Sequence, residues 1–473
     1  MLLTYEVQEQ IPIIEGNHGE GIFFTEKGAV TGINRRYFAM LVKLCYEPIY
    51  DLDEKQFYFY NPENGLWERL DNIQVNSKIL DVIIEYCMQF NFPDGIGKCN
   101  GGLLSDIRDD LSSQVGHRNY FTSNDRTYCH CLNCMLELND KEMRWEQKDF
   151  NRKYRSRNQI GIEYAKEAEC PEFLNKLIYP AMNESDVELF KLYFGQSVKG
   201  YNSSQTILLM TGTPGGGKST ALKIVTDIIG NFNVTEFRSD HVDGRFETKR
   251  YVNKTMLVAA DVRSDFLNTR GAAKLKALVG NDKMHIEGKL ENNVCEIVGN
   301  YNVIISSNSS LQVKLDGDVD AWRRRLRLIK YDNPPPVEVI PDYAQKLIDK
   351  EGSGILNWAL EGTIDLIKNN GKIPITQTQK KRIDDLLDES QSVNVFVEKC
   401  LKYSEGSTLT GAELLIAFTK YCKSRSWRIL PDRKFKIEIR NALLDKFNID
   451  KRNDIIRNDK AQRGYSGICL AST

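Results

Sequence analysis

The residues Gly212-Thr213-Pro214-Gly215-Gly216-Gly217-Lys218-Ser219 follow a short apolar run, Thr206-Ile207-Leu208-Leu209-Met210, and lead into Thr220-Ala221-Leu222-Lys223-Ile224-Val225, a helical pattern that Gly230 ends. Strand, glycine loop and helix in that order make a phosphate-binding loop. Glycines let successive backbone N–H groups converge on phosphate, and the helix start adds its dipole. Lys218 is then the cation for the β- and γ-phosphate oxygens, and Ser219 is the Mg²⁺ ligand. The expected ligands are ATP and Mg²⁺, held by Gly212, Thr213, Pro214, Gly215, Gly216, Gly217, Lys218, Ser219 and Thr220.

A second apolar run, Thr255-Met256-Leu257-Val258-Ala259-Ala260, ends in Asp261, a carboxylate at a strand end where a Mg²⁺-organising acid belongs. A third, Tyr301-Asn302-Val303-Ile304-Ile305-Ser306-Ser307, closes in Asn308, whose amide suits the holding of an attacking water beside a terminal phosphate. Arg323, Arg324 and Arg325 then stand together ahead of Leu326-Arg327-Leu328-Ile329. Strand alternation points at least one of them at a face with no anion nearby. A guanidinium lent to a neighbouring copy's phosphate is the functional reading, and a basic surface turn is the other. If one acts in trans, the active site lies between subunits of a ring or filament.

Holding these groups takes several buried strands with helices between them, and the chain is long enough to bury such a core. Its 473 residues are 41% hydrophobic and 27% charged, close to soluble globular averages, which argues against global disorder and against a membrane protein. The start, Met1-Leu2-Leu3-Thr4-Tyr5-Glu6, carries no secretory pattern, and eleven scattered cysteines fit reduced thiols, so a cytoplasmic location is expected. Charge is segregated: from Tyr421 to Thr473 there are thirteen Lys/Arg against six Asp/Glu, although the whole chain is −1. A basic tail on an otherwise acidic chain points to a polyanion partner.

Breaks of pattern divide the chain. Residues 1–150 read as mixed α+β, with a hairpin at Gln56-Phe57-Tyr58-Phe59-Tyr60 and Leu66-Trp67-Glu68-Arg69-Leu70 around Asn64-Gly65, then a helix over 75–90. Residues 151–204 read as a helical collar, 205–375 as the ATPase, 371–380 as a linker, and 385–473 as a last module. In that module an amphipathic helix from Gly411, a capped basic helix from Pro431, and short strands bearing Lys451, Arg452, Arg457, Lys460 and Arg463 give the plan of a winged helix. It offers Arg433, Lys434 and Lys436 to DNA. A protein-docking winged helix is the alternative.

The ordered set of the P-loop, the strand to Asp261, Leu275-Lys276-Ala277-Leu278-Val279-Gly280-Asn281-Asp282 with Glu287 and Lys289, the strand to Asn308, and Arg324-Arg325-Leu326 resembles superfamily 3 helicases. More narrowly it resembles the AAA+ primase-helicase family of phages, plasmids and mobile genetic islands. Leu132-Asn133-Cys134-Met135-Leu136-Glu137-Leu138 is similar to that family's entry motif, and Glu169-Cys170-Pro171-Glu172-Phe173 to the segment before its collar. The resemblance implies an α/β P-loop AAA+ ATPase core, a parallel sheet with flanking helices, between the mixed α+β N-terminal region with its helical collar and the C-terminal winged helix. It also implies a hexameric ring that threads single-stranded DNA and unwinds duplex DNA, working with other replication proteins and with no membrane. Carried over, Lys218, Asp261, Asn308, Arg324 and Arg325 are catalytic, Ser219 and Asp261 hold Mg²⁺, and Arg324 is the foremost trans arginine. Met284–Val298 is the channel hairpin, with Lys289 as its DNA contact. This chain departs by having Ala260 beside Asp261, with Asp265 as the alternative acid, and Asn281 in place of a paired glycine.

Two further constellations are weighed against this. Cys129, His130, Cys131 and Cys134, with His117, raise zinc, but the spacing lacks paired C-x₂-C units. Asp51 and Asp53 could be a priming metal pair, but a turn before the aromatic hairpin accounts for them. Three activities are carried forward: a DNA helicase of a mobile element, with or without N-terminal priming; an origin-binding initiator ATPase that does not unwind; and a small-molecule phosphotransferase. The third has no use for the arginine cluster or the basic tail.

Overall fold

A computed structural model describes residues 2–121, 128–139, 141–242, 244, 247–269, 271–287, 294–315, 318–332 and 340–471. The N-terminal part contains helices α1 (Tyr5–His18) and α2 (Arg35–Tyr46), strands β1 (Ile49–Asp51), β2 (Gln56–Asn61) and β3 (Leu66–Leu70), and helices α3 (Asn72–Gln89) and α4 (Gly101–Gln114). The hairpin forms as its alternation requires, with Tyr60 opposite Trp67. The helix expected from 75 begins at Asn72, because the Asp71 carboxylate accepts from Gln74 N–H and the Gln74 side chain accepts from Asp71 N–H. Ile11, Phe38, Val75, Ile79 and Leu111 share one apolar cluster there. Strands β4 (Tyr128–His130), β5 (Met135–Asn139) and β6 (Arg144–Lys148) form a three-stranded antiparallel sheet.

The central region runs α5 (Glu184–Val198), β7 (Ile207–Gly212), α6 (Lys218–Ile229), β8 (Val234–Glu236), β9 (Met256–Val262), α7 (Ala272–Val279), β10 (Lys283–Glu287), β11 (Val294–Val298), β12 (Asn302–Ser307), α8 (Val319–Arg325), β13 (Leu326–Tyr331), α9 (Tyr343–Lys368) and α10 (Gln377–Ser390). Five strands form a parallel sheet in the order β8-β9-β12-β7-β13, while β10 and β11 pair separately as an antiparallel ribbon. Such strands read as unbroken apolar runs because both faces are covered. Leu208, Met210 and Ile304 pack under α5, α6 and α9, and Ile207, Leu209, Val303 and Ile305 pack under α7, α8 and α10. Truncating one such side chain to alanine costs about 2–5 kcal/mol.

Two stretches pack into the central sheet. In the segment 151–204 the helical parts are Arg152–Tyr154, Phe173–Ile178, Tyr179–Ala181 and α5, and Leu189, Phe190 and Tyr193 belong to the sheet's own cluster with Ile355 and Ala359 of α9. Helix α5 is buried on most sides, so it serves as a layer rather than a spacer. The linker expected over 371–380 ends at Thr376, which caps α10 together with Gln379. Ile383, Leu386 and Leu387 then pack with the sheet, so a boundary at 385 falls inside a core helix, and the tail's own apolar cluster starts at Val393.

The tail contains α11 (Ser392–Cys400), β14 (Leu401–Thr410), α12 (Gly411–Ser424), α13 (Asp432–Phe447), β15 (Arg452–Arg457) and β16 (Lys460–Leu470). Its sheet is antiparallel in the order β14-β16-β15. Helix α13 carries no side-chain cap at Pro431, contrary to expectation, since proline has no side-chain acceptor to offer. Among the described residues, no helix is long and apolar enough to cross a membrane.

Candidate functional site

Strand β7 delivers the glycine loop to the carboxyl edge of the sheet, where open α/β sheets bind their ligands. Gly212 ends the strand opposite Tyr331, at φ 140°, and a Cβ there would lie 2.2 Å from the Tyr331 carbonyl oxygen, so only glycine fits. Gly217, at φ 89°, turns the chain into α6. The first N–H groups of α6 have no intrahelical acceptor and face the loop, which makes the turn an anion cradle. Lys218 is 4% exposed, and its ammonium donates to the carbonyls of Gly212 (2.8 Å) and Thr213 (2.6 Å). Burial lowers its pKa from the ordinary lysine value, and the nearby Asp261 carboxylate opposes that shift. Ser219 is exposed one residue further on.

Asp261 and Asn308 meet at the same edge. Regular pairing of β9 with β12 breaks between Ala259 and Val262, and Asp261 sits in that bulge at φ 49°. A left-handed aspartate costs about 1–3 kcal/mol, and bulges re-aim side chains at functional edges. The result is a hydrogen bond of 2.5 Å from Asn308 Nδ2 to Asp261 Oδ1, while Ser307 Oγ donates to the Val262 carbonyl at 2.8 Å and ties the two strand ends together. Both Asp261 and Asn308 are exposed, open to a ligand. Asp265, the alternative acid, pairs with Arg263 at 3.4 Å. Ser219 and Asp261 are thus an accessible hydroxyl and carboxylate on the loop side of the sheet, the donor types that Mg²⁺ takes.

Residues 210–325 match the profile of a family of unknown function, DUF5906. No curated protein matches. Among solved structures, the chain is similar to the apo C-terminal region of NrS-1 (residues 305–718 of that protein), at 13% identity and a TM-score of 0.49, covering 91% of this chain and 98% of that one. It is also similar to JCV helicase, at 14% identity and a TM-score of 0.24, covering 46% of this chain and 58% of that one.

The arginine cluster lies in the last turn of α8, not on a strand, so its members diverge by a helical rather than an alternating rotation. Arg323 pairs with Asp320 and, at 2.7 Å, with Asp384. Arg325 is 7% exposed and donates to the Ala321 carbonyl, and burial lowers its pKa, with Arg324 adding to the shift. Its guanidinium therefore lies mostly within the fold, unlike that of Arg324. Arg324 is exposed, and no described residue holds it in an ion pair. It precedes β13, whose first residue pairs with Ile207 and whose last pairs with Gly212, so a strand length of about 16 Å separates Arg324 from its own glycine loop.

The remaining expected contacts are dispersed. Lys289 lies outside the described residues. In the tail, Arg433, Lys434 and Lys436 are all exposed on α13, but Lys434 pairs with Glu438 (3.6 Å) and Lys436 with Asp432 (2.5 Å). Arg440 and Arg452 are likewise held by Asp450 and Asp454, and Arg457 by Glu413. Cys129, Cys131 and Cys134 are buried, both His130 ring nitrogens are engaged by Ser156 Oγ (2.8 Å) and the Asn64 carbonyl (2.7 Å), and among the described residues no metal-holding group forms. Asp51 accepts from the N–H groups of Asp53 and Glu54, both at 2.9 Å, and so caps its own turn. A cavity joining the glycine loop to α10 and to residues 425–427 had no sequence signal, because its walls are drawn from stretches as far apart as Thr211 and Trp427.

Proposed function

We propose that this chain is an ATP-hydrolysing DNA helicase, working as a hexameric ring in the replication of a mobile genetic element. The observation that carries the reading is a separation: glycine loop, Asp261 and Asn308 converge on one end of the sheet, and Arg324, exposed and held in no ion pair by the described residues, stands at the other. An arginine in that position serves a phosphate bound to a neighbouring copy, and head-to-tail contacts of this kind close into rings.

In this reading the Lys218 ammonium exchanges its two carbonyl acceptors for β- and γ-phosphate oxygens, and the free N–H groups of α6 take the remaining charge. Ser219 and Asp261 would hold Mg²⁺, which would supply charge neutralisation for the triphosphate. Asn308, already bonded to Asp261, orients the attacking water, and Arg324 of the adjoining copy offsets charge on the transferring phosphoryl group. This reading takes helices α11, α12 and α13 with the β15–β16 hairpin as a winged helix that offers Arg433, Lys434 and Lys436 to duplex DNA, and assigns Lys289 to the threaded strand. Priming is left out, since Asp51 is spent on its own turn.

Strand displacement with matched ATPase assays tests the proposal. Wild type unwinds a forked duplex in ATP and Lys218→Ala does neither. ATP-dependent DNA binding without displacement would instead identify an initiator, and ATP turnover indifferent to DNA would sink both.

A further inference from the structure

Helix α13 carries two kinds of surface residue. Some of its charges are already engaged: Lys434 with Glu438 (3.6 Å), Lys436 with Asp432 (2.5 Å), and Arg440 with Asp450 through two hydrogen bonds (2.8 and 3.0 Å). Arg433, Ile437, Asn441 and Leu444 are exposed as well, and at 3.6 residues per turn they fall within one arc of about 80° over a rise of about 16 Å. No described residue holds the Arg433 guanidinium in an ion pair or the Asn441 amide in a hydrogen bond. The helix buries Phe435, Ile439, Ala442 and Leu443 on its opposite side. Ile437, 58% exposed, and Leu444, 43% exposed, therefore add nothing to the tail's own core.

These residue types match what a major groove displays. Adenine shows an N6–H₂ donor beside its N7 acceptor, which a side-chain amide meets with two hydrogen bonds, and thymine shows a methyl group, which an aliphatic side chain covers. Ile437 and Asn441 stand one helical turn apart on the same face, so one groove can meet both. Arg433, in the first turn, suits the phosphate backbone, which fixes position without reading sequence. The setting favours a polyanion over a protein: Arg433, Lys434, Lys436 and Arg440 surround the two apolar side chains, and from Tyr421 onward thirteen Lys/Arg face six Asp/Glu. Protein interfaces deplete their centres of charge, whereas DNA draws its affinity from it. We propose that Ile437 and Asn441 read thymine and adenine in the major groove, which makes the tail selective for duplex sequence. The proposal rests on the reading of the tail as a DNA-binding winged helix, and it names the sequence class which that helix selects.

Selection by the full chain from a pool of duplexes with a randomised centre tests it, using wild type, Ile437→Ala, Asn441→Ala and Arg433→Ala, each checked for an unchanged melting temperature. Wild type is expected to enrich a short run containing adenine and thymine. Asn441→Ala should lose the adenine preference by about ten-fold, with affinity for the unselected pool within about two-fold of wild type, and Arg433→Ala should weaken selected and unselected duplexes alike. On the enriched duplex, exchanging thymine for uracil, which deletes only the groove methyl, should cost wild type about four-fold and leave Ile437→Ala unaffected. Retention of duplexes by wild type with no sequence enriched, or the same enrichment in the Ile437 and Asn441 variants, overturns the base reading and leaves the tail standing as a DNA-binding module. Retention of no duplex by wild type overturns the winged-helix reading and this proposal with it, and gives the apolar pair to a protein partner instead.

Discussion

The two ends of the parallel sheet are built for different work. At the carboxyl end, Gly212 abuts Tyr331, Lys218 reaches back to the loop carbonyls, and a bulge turns Asp261 onto Asn308. At the amino end of β13, three consecutive arginines are sorted by one turn of α8 into a paired one, a buried one and an exposed one. The loop end gathers the groups suited to a phosphate, and Arg324 stands a strand length away from it at the other end. In the proposed reading, the glycine loop and Arg324 of one copy therefore serve two different pockets.

The sharpest way to break this contrast is Arg324→Ala. Hydrolysis should fall by about 10³ or more while ATP affinity stays within about two-fold, as for an arginine acting only on the transferring phosphoryl group. Equal loss in binding and turnover would place Arg324 in its own copy's site. Asn308→Ala should cost about 100-fold in turnover with little change in ATP affinity, because it removes one preorganised donor at the loop end; an unchanged rate would remove Asn308 from the mechanism.

A smaller effect is expected in the tail, where paired and unpaired cations can be compared directly. Arg433→Ala should reduce the salt slope of duplex binding by about one, and Lys434→Ala or Lys436→Ala by less, since each is already neutralised along the helix. Equal effects from all three would show that those pairs open freely on DNA.

The smallest effect concerns stability away from both ends. Burial pulls the His130 imidazole down to about 4, so the folded state holds it neutral while the unfolded state takes a proton below its ordinary value of about 6.5. Its contribution is therefore full above about pH 6.5 and is lost as pH falls towards 4, on the order of 3 kcal/mol. Denaturant titrations of His130→Gln should show a shallower acid slope over that window than wild type, and an identical slope would assign the acid sensitivity to other groups.

Much of the loop end was legible in the sequence because its signals are local. Gly212 to Val225 encodes strand, turn and helix within one stretch, and Asp261 and Asn308 mark the ends of apolar runs that could only be buried strands. The arginines were legible as a group and not individually, because alternation was assumed where α8 makes a helical turn. Segment 371–380 read as a linker since its polar residues hide a capping box at Thr376 and Gln379. The tail's excess of positive charge was countable, but the carboxylates beside Lys434, Lys436, Arg440 and Arg452 become partners only once helix and hairpin have formed. The link from Ser310 through Glu389 to Arg428 depends on tertiary contact alone.

The account turns on whether two copies jointly make one working pocket, and mixing two inactive variants asks this directly. Lys218→Ala retains its arginine and Arg324→Ala retains its loop, so an equimolar random ring should regain activity at about a quarter of its interfaces. ATPase activity well above the sum of the separate variants, and lost on dilution, is the predicted result. A mixture no more active than its components, alongside a wild type whose rate per copy ignores dilution, would contradict it.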